Sequence, residues 1–249
     1  MEQQYELQKS PEWYRKRYGR FTSSMAYVFI PQSKTEGEPN AAAKTYIMGL
    51  LWELLTGEHK EIKAQSLTWG NDYEPYAKLA VQERYMSKFY DCGLIIDTNY
   101  PYRAGSPDGS IDINGMEYTV ENKCPVGVEH LVNIKLFKSL EAVKKSYPEL
   151  YWQCMQNMYL MNTKVALAAS FHHQAGELSY ADIHIPYNEV DMKLLIERQS
   201  EAWEWMKQQA KIFGIDILAK YAEYAQPTQN QGTPLMTPSQ EAEHFGTAS

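Results

Sequence analysis

Three side chains stand out for chemistry: Asp108, in the turn Ser106-Pro107-Asp108-Gly109, and Glu121 and Lys123, in Glu121-Asn122-Lys123. Residues two apart on a strand project to the same face, so Glu121 and Lys123 share one side. Between them and Asp108 lies Asn114-Gly115, a strong two-residue hairpin signal that folds the strand back beside Asp108. Two carboxylates and the main-chain carbonyl of Asn122 are hard oxygen ligands of the kind Mg2+ takes, with Mn2+ able to substitute. A cation held there offers a water as nucleophile and offsets charge growing on a phosphate oxygen, while Lys123 adds a fixed positive charge. A third acid, Glu74 in Gly70-Asn71-Asp72-Tyr73-Glu74, lies on the helix that feeds the first strand and is expected near the same place. The plain alternative is a turn aspartate and a solvated strand pair.

The elements that must position these groups follow from periodicity. Residues 10–31 read as two short helices broken at Gly19, the first capped by Ser10 with Pro11 in its first turn, the second carrying Met25, Ala26, Val28 and Phe29. A polar loop over 32–40 leads to a helix over about 41–55 that stops at Gly57, and then to another over about 67–86. The period then changes. Residues 91–97, 102–106, 108–113 and 116–124 read as short strands. Helical patterns over 128–145 and 149–161, an antiparallel pair over 164–173 and 176–186, and a long helical stretch over 188–225 complete the chain. From Gln226 the composition turns to Gln, Pro, Thr, Ser and Gly, which reads as a disordered tail over 226–249 behind a folded unit over 1–225. The expected class is mixed α/β with a central sheet.

At 249 residues the chain can bury a sizeable core without staples. Cys92, Cys124 and Cys154 form no CxxC pair, which argues against a zinc site, an iron–sulfur cluster or a disulfide framework and points to reducing cytoplasm. Mean hydropathy is −0.53 and no apolar run approaches a membrane span; no signal peptide is expected. No GxxxxGK[ST] occurs, so nucleotide-driven translocation is unsupported. The net charge of −7 is unlike that of most nucleic-acid proteins, yet two stretches are locally basic: Lys9, Arg15, Lys16, Arg17 and Arg20, then Lys135, Lys138, Lys144 and Lys145. His172-His173 reads as an ordinary strand-end pair, and Trp52, Tyr46, Trp203 and Trp205 as core.

In order along the chain, these residues resemble one family. Trp13-Tyr14-Arg15-Lys16-Arg17-Tyr18-Gly19-Arg20-Phe21-Thr22-Ser23-Ser24 matches W-x-x-x-R-x-G-x-x-T-x-S. Gly70 to Glu74 matches G-x-x-x-E, Ser106 to Gly109 S-P-D-G, Glu121-Asn122-Lys123-Cys124-Pro125 E-x-K-C-P, and Tyr151-Trp152-Gln153 Y-W-Q, with Met158 further on. The chain thereby resembles the phage lambda exonuclease and YqaJ-type viral recombinase group of the PD-(D/E)xK nuclease superfamily, over about Trp13–Phe171.

The resemblance implies a restriction-endonuclease-like core with a central mixed sheet flanked by helices. It implies a Mg2+-dependent exonuclease that resects duplex DNA from the 5′ end, releasing 5′-mononucleotides and leaving 3′ single-stranded overhangs for recombination by strand annealing. Asp108 and Glu121 would be the metal-binding carboxylates, Lys123 the catalytic lysine, and Glu74 the acid near the metals. Arg17 and Ser24 would hold the terminal 5′-phosphate, with Arg20 the competing arginine, and Gln153 would contact the substrate end or the attacking water. Expected partners are double-stranded DNA ends, a single-strand annealing protein of the RecT/Red-beta type, and further copies of the chain in a ring, a trimer foremost; no membrane is involved. The chain departs from the family at Met155, often a second glutamine, and at Ser23, often alanine. The rivals are a related endonuclease acting on branched or specific duplex DNA, and a non-catalytic DNA-end-binding protein.

Overall fold

The computed structural model describes residue 8, residues 10–58 and residues 65–226. The expected tail lies outside the described residues from 227 onward. Helix α1 (Pro11–Arg17) starts where Ser10 accepts a hydrogen bond from the Trp13 N–H, and Pro11 occupies the first turn. The chain then departs from the second expected helix. Phe21–Thr22 forms a short strand β1, and Ser23–Phe29 winds as a 3-10 helix, because the hydroxyls at 22–24 bond elsewhere and no side chain caps the turn. Helix α2 (Ala41–Thr56) is capped by Asn40 and ends at Gly57, whose φ is 70°. Helix α3 (Gln65–Tyr85) follows.

Strands β2 (Phe89–Asp91), β3 (Ile95–Ile96), β4 (Arg103–Gly105), β5 (Gly109–Ile113) and β6 (Met116–Lys123) come next. Asn114 and Gly115, at φ 54° and 80°, turn β5 directly into β6. The expected helix over 128–145 breaks into α4 (Val128–Leu136) and α5 (Leu140–Ser146), because Ser139 caps a new start. Helix α6 (Pro148–Met161) leads to β7 (Val165–Phe171) and β8 (Tyr180–Pro186). The last helical stretch also divides, into α7 (Glu189–Ile212) and α8 (Ile217–Ala225), at Gly214 and the capping Asp216.

The strands form a five-stranded sheet in the order β2-β5-β6-β7-β8 and a small sheet β1-β4-β3. Within the larger sheet only β6 and β7 run parallel, the helices α4, α5 and α6 making the crossover; the sheet is therefore mixed. Alternation divides the core. Ala166, Ala168, Met155 and Met158 belong to the larger cluster under α2, α6 and α7, whereas Ile111, Val120, Leu167 and Ala169 pack on the opposite face with Val81 of α3. Two buried polar groups join the small sheet to the helices. Arg103 donates to Asp97 at 2.8 Å and to Gln199 at 2.7 Å, and Gln156 donates to the carbonyls of Phe21 and Ala104. Trp52 lies outside this core, 58% exposed, contrary to expectation; Tyr46 and Trp203 pack against it.

Gly109 has a structural duty beside Asp108. A methyl group there would collide with the Phe89 ring and the Tyr90 carbonyl, and a backbone oxygen cannot step aside. Gly109→Ala is expected to destabilise the fold by about 1–3 kcal/mol and to disturb Asp108, read as a lower chemical-denaturation midpoint with activity lost in parallel.

Candidate active site

The β5–β6 hairpin brings the sequence-predicted carboxylates together. The Asp108 N–H donates to the Val120 carbonyl at 3.2 Å, and Asp108 Oδ2 accepts the Asn122 N–H at 2.6 Å. In a strand the N–H and C=O of one residue point the same way, so the Asn122 carbonyl also turns toward the Asp108 edge. Its side chain alternates to the face opposite Glu121 and Lys123, leaving only its main chain to serve the site. Glu121 is buried, 3% exposed, and lies under α6. Lys123 Nζ donates to Glu121 Oε1 at 2.9 Å and to Gln153 Oε1 at 3.0 Å. Gln153 Nε2 donates to the same Glu121 oxygen at 2.5 Å, and Asn157 Nδ2 donates to the other at 3.2 Å. Asn157 escaped the sequence reading. Its signal was position: it follows Gln153 by four residues and so shares its helix face.

Burial is the main cause of the shifted carboxyl pKa values here. It raises the pKa of Asp108 well above the usual carboxylate range, with Glu121 and Glu74 adding to the effect against Lys123 and the Asn122 N–H. Burial raises Glu121 also, opposed chiefly by Lys123. For Lys123 burial alone acts downward, but Glu121, Tyr147 and Asp108 outweigh it and raise its pKa, so its ammonium stays charged. The Cys124 thiol, half-buried beside Asp108 and Glu74, is pushed up to about 12 and is not a nucleophile at neutral pH.

Glu74 stands on α3 at the edge of this pocket and bonds Lys78 at 3.0 Å; Lys78 also reaches Asp91 at 2.7 Å, the residue in register with Gly109. Asp108, Glu121 and Glu74 thus gather beside Lys123 and Lys78, while Asp91, largely exposed, bonds Lys78 from the rim.

The two arginines separate clearly. Arg20 is 5% exposed, donates to the carbonyls of Lys16 and Pro101, and stacks on the Tyr221 ring at 3.8 Å. It is committed to the fold. Arg17 lies over the Trp13 ring at 4.0 Å, close enough to Tyr46 and Glu53 to feel both; burial lowers its pKa, yet a guanidinium remains charged. Trp13 Nε1 donates to Ser106 Oγ at 3.1 Å, so Arg17 is linked through one indole to the turn that carries Asp108. Ser24 is exposed near the start of the 3-10 helix, its hydroxyl 3.3 Å from Thr22 Oγ1, which in turn contacts the Tyr46 hydroxyl. Arg17 and Ser24 therefore converge on the surroundings of Tyr46.

No three His, Cys, Asp or Glu side chains form a ready-made metal cage among the described residues. Two carboxylates held above their usual pKa, with a neighbouring main-chain carbonyl, instead suit a hard cation that keeps several waters. Mg2+, or Ca2+ to avoid turnover, is expected to raise the melting temperature of the wild type by about 5–10 °C at a hundredfold excess over Kd. Glu121→Gln should remove the shift. An equal shift in both proteins, measured by scanning fluorimetry, places the cation elsewhere.

The YqaJ-like viral recombinase domain model matches residues 12–164, a span holding every candidate site residue. No curated protein sequence matches the chain. Among solved structures, the alkaline exonuclease LHK-Exo from Laribacter hongkongensis superposes with a TM-score of 0.69 at 20% identity, covering 86% of this chain and 99% of that one. The same protein in complex with dAMP gives 0.63 at 21% identity, over 82% and 100% of the two chains. A phage related exonuclease from Haemophilus somnus 129PT gives 0.65 at 14% identity, over 78% and 96%. These likenesses establish the fold.

Proposed function

The chain belongs to the YqaJ-like viral recombinase domain family, and we propose that it is a Mg2+-dependent exonuclease that digests one strand of duplex DNA from its 5′ end. The observation that carries this is the bonding of Lys123 to Glu121 and Gln153 beside Asp108 in one pocket, with Arg17 linked through Trp13 to the same turn. Asp108, Glu121 and the Asn122 carbonyl would hold the cation, which when bound supplies Lewis acidity and a water of lowered pKa.

The protein's own groups do the rest. Lys123, charged throughout, places a cation where negative charge grows on the phosphoryl oxygens. Gln153 and Asn157 hold Glu121 in one rotamer, and Gln153 also aims Lys123. Arg17 and Ser24 bind the terminal 5′-phosphate, which sets the first internucleotide phosphate at the carboxylates. Water adds to that phosphorus and the P–O3′ bond breaks, releasing a 5′-mononucleotide. The remaining strand again ends in a 5′-phosphate, so Arg17 meets the same group after every step and a 3′ overhang grows. The complex of LHK-Exo with dAMP, a deoxynucleoside monophosphate, is in keeping with such a product.

No helix among the described residues is long and apolar enough to cross a membrane, and cytoplasmic action on DNA ends fits this reading. The overhang would pass to a single-strand annealing protein of the RecT/Red-beta type. A homo-oligomeric ring, a trimer foremost, would keep an acidic chain on DNA; the apolar residues Met48, Trp52 and Leu55, exposed on α2, are the kind of surface that assembly covers. Linear duplex labelled at either 5′ or 3′ ends, beside closed circular duplex, tests the activity in Mg2+ and in chelator. Release of 5′ label from linear DNA alone is expected; nicking of circles rejects the exonuclease.

Residues 1–225 are proposed to be the whole nuclease unit. Truncation after Ala225 should leave digestion of naked DNA within about twofold of the full chain, because a composition so rich in Pro, Gln and Thr offers few apolar side chains to a core. Loss of activity on naked DNA would assign the tail a part in the reaction.

A further inference from the structure

Beside the carboxylates stands a group of rings that the hydrolysis does not use. Trp69 and Tyr73, one turn apart on α3, lean together with centroids 4.4 Å apart. His173, just past the end of β7, lies flat on Tyr73 at 4.2 Å with 6° between the planes. His172 is parallel to His173 at 5.6 Å, and Trp69 tilts against both imidazoles at 5.5 and 5.4 Å. Tyr76 continues the row along the helix, 6.0 Å from Tyr73. The rings are not sealed in a core: Trp69 and Tyr73 are half-buried, and His173 and Tyr76 are exposed.

The position of the row matters as much as its composition. Tyr73 adjoins Glu74, whose charge reaches Asp108. His172 lies two residues beyond Ser170, the register partner of Lys123. The rings therefore stand on the elements that carry Glu74 and the strand beside Lys123, whereas Arg17 connects to Asp108 through Trp13 and Ser106. If the terminal phosphate sits at Arg17 and the scissile phosphate at the carboxylates, the next nucleotide emerges toward Glu74. Carboxylates there disfavour a phosphate, while an aromatic face accepts any base by stacking.

We propose that Trp69, Tyr73 and His173 form a stacking shelf for an unpaired nucleobase of the digested strand, on the 3′ side of the scissile phosphate. The shelf rests on the exonuclease reading above and adds to it a second point of grip. It would hold the strand apart from its complement while the terminal nucleotide is cleaved, without preference for base identity.

The test uses wild-type protein in Ca2+ with a 5′-phosphorylated duplex. The digested strand carries 5-iodo-2′-deoxyuridine at its second, third or eighth nucleotide, and crosslinks to stacked rings are mapped by mass spectrometry. Crosslinks from the second or third nucleotide to the Trp69–Tyr73 or His172–His173 peptides are expected, with none from the eighth; crosslinks confined to other peptides overturn the shelf. His173→Ala, an exposed substitution, should raise KM for linear duplex about fivefold to tenfold while keeping the preference for a 5′-phosphate. An unchanged KM rejects the shelf. Wild-type protein that fails to release 5′ label from linear duplex in Mg2+ rejects the exonuclease reading itself, whereas normal digestion without ring crosslinks rejects the shelf alone.

Discussion

Lys123→Ala and Glu121→Ala are each expected to reduce DNA digestion by about a thousandfold or more while the protein stays folded. A cation ligand, or the charge paired with it, supplies several kcal/mol of transition-state stabilisation, and roughly 4 kcal/mol corresponds to three orders of magnitude. Glu121 is the hub of the pocket: Lys123, Gln153 and Asn157 all donate to it, so its removal frees the lysine and both carboxamides at once. Losing Lys123 acts differently. Glu121 keeps its two carboxamide donors but loses the ammonium that chiefly opposes the upward push of burial on its pKa. The two remaining donors limit the structural cost, while the catalytic cost is the loss of a positive charge beside the phosphoryl oxygens. Single-turnover digestion of linear duplex in Mg2+, with thermal melts alongside, separates the two effects. A purified Glu121→Ala protein that digests at the wild-type rate would place the chemistry elsewhere.

The juxtaposition of the proposed reacting groups was legible in the sequence because a hairpin is a local object. Asn114-Gly115 sets the turn, the strand period of two sets the face, and together they bring Asp108 to Glu121 and Lys123 without knowledge of the rest of the fold. The helix ends at Ser10 and Gly57 were legible for the same reason, since both act within a few residues of themselves, whereas the cap at Asn40 went unread inside a polar loop. What escaped depends on distant partners. Phe21–Thr22 becomes a strand only because Arg103–Ala104 lies alongside, and nothing local to those two residues signals a parallel neighbour. The breaks at Ser139 and Gly214 were present as letters, but helical periodicity on both sides masked them. Asn157 was hidden by its type, since a lone asparagine in an apolar helix gains meaning only when Glu121 is seen beneath it. The two arginines were indistinguishable on paper; Tyr221, some two hundred residues away, is what takes Arg20 out of play.

That separation sharpens the second large effect. Wild-type protein should degrade 5′-phosphorylated duplex about tenfold to a hundredfold faster than 5′-hydroxyl duplex, the worth of a charge-assisted phosphate contact of roughly 1.5–3 kcal/mol. Arg17→Ala should slow the phosphorylated substrate by about that factor and leave the two substrates nearly equal, because the side chain acts only where the phosphate exists. A generally basic surface predicts otherwise: both substrates would slow alike, and the loss would track salt concentration. Arg20→Ala supplies the control. Its guanidinium stacks on Tyr221 and bonds two carbonyls in the interior, so its loss should cost about 2–4 kcal/mol of stability and leave the preference for phosphate intact in the protein that remains folded. Measured rates on the two substrates for both variants decide the matter. If Arg20→Ala erases the preference and Arg17→Ala spares it, the anchor has been assigned to the wrong arginine; if both spare it, the terminal phosphate is held by neither.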